Sequence, residues 1–240
     1  MSDDHDRASD VVARLGLVRT RIAAAERAAG RRSGSVRLLV ATKTVPASLV
    51  RAAIGAGVGL IGENRVQELV AKGPELADLP VEVHLIGHLQ GNKVNPALRW
   101  ASCVESVDSL EIAARLAARS AEAGRVLDVL VQVNVSGEQT KFGVLSAAAC
   151  DVAAEVAALA GLRLRGFMTI GPNSSDAGLV RAGFARLREV RDAVVGAGTD
   201  GVGEATELSM GMSGDLEVAI AEGATIVRVG TSVFGARPTR

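Results

Sequence analysis

Apolar positions along this chain follow two periods in turn. Near the N-terminus Val11, Leu15, Val18 and Ile22 recur every three to four residues, which predicts an amphipathic helix. Beyond it, short runs rich in β-branched residues alternate with alanine-rich stretches that carry helical stripes. Eight such runs stand out: Val36 to Lys43, Gly59 to Arg65, Glu82 to Gly87, Cys103 to Val107, Asp128 to Val135, Leu162 to Ile170, Glu207 to Gly211 and Thr225 to Gly230. Intervening segments such as Ser109 to Gly124 and Ala177 to Gly198 end in glycines suited to helix C-caps. Eight βα units predict an α/β fold: a single closed (β/α)₈ barrel of the TIM type, with the N-terminal helix as an addition. The expected domain is the whole chain, residues 1–240, with residues 1–8 flexible. A doubly wound open sheet is the alternative, but its first turn more often carries glycine, and Thr42-Lys43-Thr44-Val45-Pro46 has none.

If the barrel closes, the first and eighth strands pair, and all strand C-termini share the face where barrel active sites form. The first run ends in Lys43, just before a helix that can start at Pro46. An ammonium there is either a Schiff-base amine or a strand-end lysine reaching for solvent. The seventh and eighth runs end in Leu208-Ser209-Met210-Gly211-Met212-Ser213-Gly214-Asp215 and Arg228-Val229-Gly230-Thr231-Ser232. Small, glycine-containing, hydroxyl-rich rims suit phosphate oxygens, although they also suit ordinary turns and caps. Strands about 4.8 Å apart set Gly230 and Thr231 one strand from Lys43, and Ser209 two. A ligand anchored there by phosphate could present an aldehyde to the Lys43 amine. Alternation places Arg228 on the face of Gly230, hence inside the barrel if that glycine lines the site. An inward arginine contacts a polar ligand or pairs with a carboxylate such as Glu63 or Glu207.

Composition narrows the partners. With 48% hydrophobic residues among 240, the chain can build one large core. Lys plus Arg equals Asp plus Glu, 27 each, so no charge bias points to nucleic acid or a membrane surface. Cys103 and Cys150 lack metal spacing and read as buried small hydrophobes. Met1 to Asp10 is acidic and polar without a signal core, and no apolar run approaches the roughly 20 residues of a membrane span. A cytoplasmic setting is expected. The absence of tyrosine removes one common general acid or base.

Several motifs in order cover nearly the whole chain after the first helix: Val40-Ala41-Thr42-Lys43, Gly62-Glu63-Asn64-Arg65-Val66-Gln67-Glu68, His84 to Lys93, Lys141-Phe142-Gly143, Leu208 to Ser213 and Val227 to Thr231. Together they resemble the pyridoxal phosphate homeostasis protein family, barrel proteins related to the N-terminal domain of alanine racemase. The resemblance implies pyridoxal 5'-phosphate (PLP) as cofactor, held by Lys43 as an internal aldimine. It also implies phosphate contacts from Ser209, Ser213, Gly230 and Thr231, and places Arg228 opposite the pyridine nitrogen. Asn64 could donate hydrogen bonds near the cofactor or simply form a turn. His84 reads as a cofactor-packing or structural histidine; a metal site with His88 lacks a third ligand. Met168 packs on the ligand ring or in the core, and Lys141 is a solvated or loop-bracing residue.

Arginine at the ring nitrogen leaves it largely unprotonated and the electron sink weak. Racemases of the resembling fold answer with a second base, a tyrosine from a C-terminal β-domain of the partner subunit. This chain ends ten residues after Gly230 and has no tyrosine. The expectation is therefore a monomeric carrier that buffers or delivers PLP, with PLP-dependent apoenzymes as recipients, and not an efficient enzyme. Alternatives are an amino-acid racemase with a non-tyrosine base such as His84 or Cys103, a cofactor-free Schiff-base aldolase, and a purely structural role. The aldolase reading lacks a lysine at the end of the sixth run, Phe167-Met168-Thr169-Ile170.

Overall fold

In the computed structural model, which describes residues 2–138 and 140–235, strand and helix alternate as the two periods require. Helix α1 (Ser2–Ala28) precedes β1 (Arg37–Ala41), α2 (Ala47–Gly55), β2 (Leu60–Glu63), α3 (Val66–Leu76), β3 (Glu82–Leu85), α4 (Val94–Leu98), β4 (Cys103–Val107) and α5 (Leu110–Glu122). There follow β5 (Leu127–Asn134), β6 (Val144–Leu145), α6 (Ala149–Ala157), β7 (Leu162–Met168), α7 (Ala177–Gly196), β8 (Glu207–Ser209), α8 (Leu216–Ala221), β9 (Ile226–Val229) and α9 (Thr231–Phe234). Every pairing is parallel. The order β4-β3-β2-β1-β9-β8-β7-β5, with β4 also paired to β5, closes the expected eight-stranded barrel. The two-residue β6, too short to leave a periodic signal, adds only to the edge of β5.

The expected strands run past the observed ones mainly at their C-terminal ends, because the rim residues leave the ladder to make turns. After β1 the Thr42 N–H still reaches the Gly62 carbonyl at 2.9 Å, and then Val45 N–H turns back to the Thr42 carbonyl at 3.0 Å. The outward strand faces, among them Val40, Ile61, Val227 and Val229, pack under the helices as one core. Leu39, Leu60 and Ile226 form a separate small cluster, with Ala41 and Ile86 against it. Alternation along β1 and β9 identifies that cluster as the barrel interior and sets Arg228 on its face.

Helix α1 buries the four periodic residues Val11, Leu15, Val18 and Ile22 and packs against α2, α8 and α9. It begins at Ser2, inside the segment expected to be flexible. The buried Glu26 carboxylate ties its end to β1 by accepting from the N–H groups of Gly34 and Val36 and from the Ser35 hydroxyl. Cys103 is buried on β4 as expected, whereas Cys150 is exposed. On α6 the inward stripe is Ala149, Ala153 and Val156, which turns Cys150 outward. Among the described residues no helix is long and apolar enough to cross a membrane.

The second and third rims pack without room for a side chain at Gly87. A Cβ there would lie 2.0 Å from the Asn64 carbonyl oxygen. Gly87→Ala should therefore destabilise the fold by about 1–3 kcal/mol, the cost of overpacking, measured by urea unfolding of the variant against the parent.

Candidate functional site

Lys43 stands two residues beyond β1, in a strained stretch of backbone. Thr44 has φ 61, a left-handed conformation that a β-branched residue rarely adopts. Both sides of Lys43 are pinned from β2 and α3. The Thr44 N–H donates to Glu68 Oε2 at 2.6 Å, and Lys72 Nζ donates to the Thr42 carbonyl at 2.7 Å. Glu63 Oε1 accepts from the Thr42 hydroxyl at 2.5 Å and from Lys72 Nζ at 2.7 Å. Burial pushes the Glu63 carboxyl above its ordinary value, against the pull of Lys72 and Thr42. Glu63 shares its surroundings with Leu69 and Lys72 of α3, so it lies in the helix layer and is not the partner of Arg228.

Lys43 lines a cavity of about 140 Å³ together with Gly230, Thr231, Phe234 and Arg7. The loop after β8 comes alongside. Gly211 makes its turn at φ 90, where an added Cβ would lie 2.4 Å from that of Ala219, so only glycine fits. The Met212 N–H then donates to Asp215 Oδ1 at 2.5 Å. The two loops meet where the Thr231 hydroxyl donates to Ser213 Oγ at 3.1 Å. Arg21 of α1 braces this loop, donating to the Ser213 carbonyl at 3.1 Å and to both oxygens of Glu217 at 2.8 and 3.0 Å.

Ser209 stands apart from that hydroxyl pair. Fully buried at the end of β8, it donates to Glu105 Oε2 at 2.5 Å and accepts from Arg228 Nη1 at 2.8 Å. Its hydroxyl is therefore engaged inside the barrel, between a carboxylate and a guanidinium. Arg228 also donates to the Thr169 carbonyl at 2.7 Å, and neither Glu63 nor Glu207 is its hydrogen-bond partner. Met168, fully buried, lies beside Ser209 in the β7–β8 register.

His84 is likewise an interior residue. Nδ1 lies 2.7 Å from Glu105 Oε1 and Nε2 lies 3.6 Å from Glu82 Oε2, so both nitrogens face carboxylates and neither faces the mouth. Burial opposes its charge, but the hydrogen bond to Glu105 and the nearby Glu82 carboxylate prevail and raise His84 to about 9. Burial also works against ionisation of Glu105, and His84, Arg228 and Ser209 together hold it below the ordinary carboxylate range.

At the second rim Asn64 is half-buried, and its side-chain amide has no hydrogen-bond partner among the described residues. His88 bonds Asp108 through Nδ1 at 2.8 Å and stacks on Phe142 at 3.8 Å between ring centroids. No group of three or more metal-ligating side chains occurs among the described residues. Lys141 braces its loop, donating to Glu138 and to the Gly171 carbonyl.

The profile of the alanine racemase N-terminal domain family matches residues 17–238. A pyridoxal phosphate homeostasis protein of Pseudomonas aeruginosa is 45% identical over 230 residues, spanning 95% of this chain and 96% of its own. The chain belongs to the pyridoxal phosphate homeostasis protein family. A crystal structure of an unknown protein from Bifidobacterium adolescentis superposes with TM-score 0.91 at 43% identity, covering 95% of this chain and 96% of that one. PipY of Synechococcus elongatus with PLP bound gives 0.81 at 35% identity, covering 94% of this chain and all of that one.

Within this member of the family, the geometry brings Lys43, Gly230, Thr231 and Ser213 to one side of the mouth and sets Arg228, Ser209, Met168 and His84 beneath it. Sequence reasoning missed Glu105, Glu68 and Lys72. A signal existed for the first, a lone carboxylate in the apolar run Cys103-Val104-Glu105-Ser106-Val107. Lys72→Met should cost about 3–5 kcal/mol, because it leaves Glu63 buried and uncompensated. Adding Glu63→Gln removes that charge, so the double variant should lose less than the sum of the singles in urea unfolding. A fully additive cycle would show that the pair does not act as a unit.

Proposed function

We propose that this chain binds PLP through a Schiff base to Lys43 and buffers or delivers it in the cytoplasm, without efficient catalysis of its own. The observation that carries this reading is the shared cavity of Lys43, Gly230 and Thr231, with the Ser213 hydroxyl 3.1 Å from that of Thr231. An amine capable of holding an aldehyde thus stands beside paired hydroxyls suited to a phosphate ester. Bound PLP supplies an aldehyde and an electron sink. Ser213, Thr231 and Gly230 would bind its phosphate, Asn64 and Met168 would pack beside it, and Arg228 would donate toward its ring. Two of the five guanidinium N–H groups serve Ser209 and Thr169, which leaves donors to spare. The PLP-bound PipY and the curated relative support the choice of cofactor.

Two features favour a carrier over a racemase. Arginine has no acceptor and keeps its proton, so it would donate to the ring nitrogen, leaving that nitrogen unprotonated and the sink weak. The candidate second bases are also poorly placed: His84 has both nitrogens directed at carboxylates, and burial pushes the Cys103 thiol well above its ordinary value.

Borohydride reduction of the PLP-loaded protein should trap the cofactor on the peptide containing Lys43; trapping mainly on Lys93 or Lys141 would refute the assignment. With alanine or serine in deuterated water, exchange of the α-proton should stay far below about 1 per second, the lower range of ordinary turnover. Faster racemisation would overturn the carrier reading. Ser213→Ala and Thr231→Ala should each weaken PLP affinity by about 1.5–3 kcal/mol, the worth of a hydrogen bond to a charged group. In the parent protein, pyridoxal without its phosphate should bind far less tightly than PLP by equilibrium dialysis.

A further inference from the structure

A column of polar side chains runs through the barrel, and the binding chemistry above uses only its upper end. At the N-terminal ends of the strands, Arg37 of β1 bonds Glu82 of β3 at 2.5 Å and approaches Glu207 of β8 at 3.7 Å. From Glu82 the column passes to His84, Glu105, Ser209 and Arg228 through the contacts given above. Side-chain exposure falls from 56% at Glu82 to none at Glu105. Burying such ions is costly, and apolar residues fill a barrel interior without that cost, as Leu39, Leu60 and Ile226 do.

The direction of every bond at the upper end is determined. Arginine only donates and a carboxylate only accepts, so the single Ser209 proton must go to Glu105 while the Ser209 lone pair takes the Arg228 N–H. Arg228 therefore meets its balancing carboxylate only through this hydroxyl. We propose that Glu105 is a positioning residue for the cofactor site, orienting and charge-balancing Arg228 through Ser209 while His84 anchors its other oxygen. The proposal rests on the reading that Arg228 faces the PLP ring. Other charged groups facing the column are Arg37, Glu82 and Glu207 below and Asp215 near Arg228, with Lys43 on the neighbouring rim.

Glu105→Gln tests it, because the amide keeps the shape and removes the charge. In the ligand-free chain, which has only three histidines, the His84 imidazole followed by NMR should titrate at least one pH unit lower in the variant, and the Arg228 Nε resonance should shift. In the PLP-loaded chain, the pH midpoint of the visible band should fall by at least half a unit, because the site loses the negative charge that helps it keep a proton. Ser209→Ala should also move the band, because Arg228 loses the hydroxyl that couples it to Glu105, but should leave the His84 titration in place, since Glu105 still holds that ring. A folded Glu105→Gln protein with an unchanged band midpoint would overturn the proposal. If Glu105→Gln does not fold, an unchanged midpoint in Ser209→Ala overturns it equally. If the parent protein gives no borohydride-trapped product on Lys43, the cofactor reading fails by itself. The ligand-free Arg228 resonance then decides the relay: a shift in Glu105→Gln supports it, and an unmoved resonance refutes it.

Discussion

The parallel ladder between β4 and β5 turns an open sheet into a ring, and the geometry of the mouth follows from that ring. With the sheet closed, β1 lies between β2 and β9, so Lys43 is flanked by the rim that carries Asn64 and the rim that carries Gly230 and Thr231. Closure also creates an interior shielded from bulk solvent. A polar group placed there must find its partners among the inward residues of other strands. Arg228, Ser209, Glu105 and His84 come from four different strands, and each is satisfied only because the ring brings those strands around a common axis.

Two environments meet at this mouth. On the outer side of β1, the Lys43 backbone is held by a cluster belonging to the helix layer: Glu63, Glu68 and Lys72. On the inner side, the guanidinium of Arg228 is held by the polar column. The two clusters share no hydrogen bond among the described residues. A substitution in one should therefore leave the other in place, with effects close to additive across the barrel wall.

The fold was largely legible because the two periods of hydrophobicity report directly on which faces are buried. Val11, Leu15, Val18 and Ile22 all lie in the core, and Cys103 to Val107 is a strand with the expected bounds. Strand ends were less so, since residues such as Thr42 and Lys43 continue a β-rich run in composition while the backbone has already turned. That Lys43, Gly230 and Thr231 share one cavity, with Ser213 beside Thr231, could be expected from rim position alone. Which atom a buried polar side chain bonds is another matter, set by neighbours distant in sequence. Ser209 and Glu105 are 104 residues apart, and no local pattern announces their contact. The left-handed Thr44 left no trace either, because threonine is not a residue that marks such a turn.

Arg21 connects the exterior of the molecule to its mouth. Its guanidinium reaches from α1 to the Ser213 carbonyl and to Glu217, so the loop that offers one hydroxyl of the rim is mechanically tethered to a helix outside the barrel. Helix α1 thus holds this loop both through Arg21 and through its packing on α8 and α9. The position of a rim hydroxyl is thereby set from outside the barrel, by a helix that precedes the first strand.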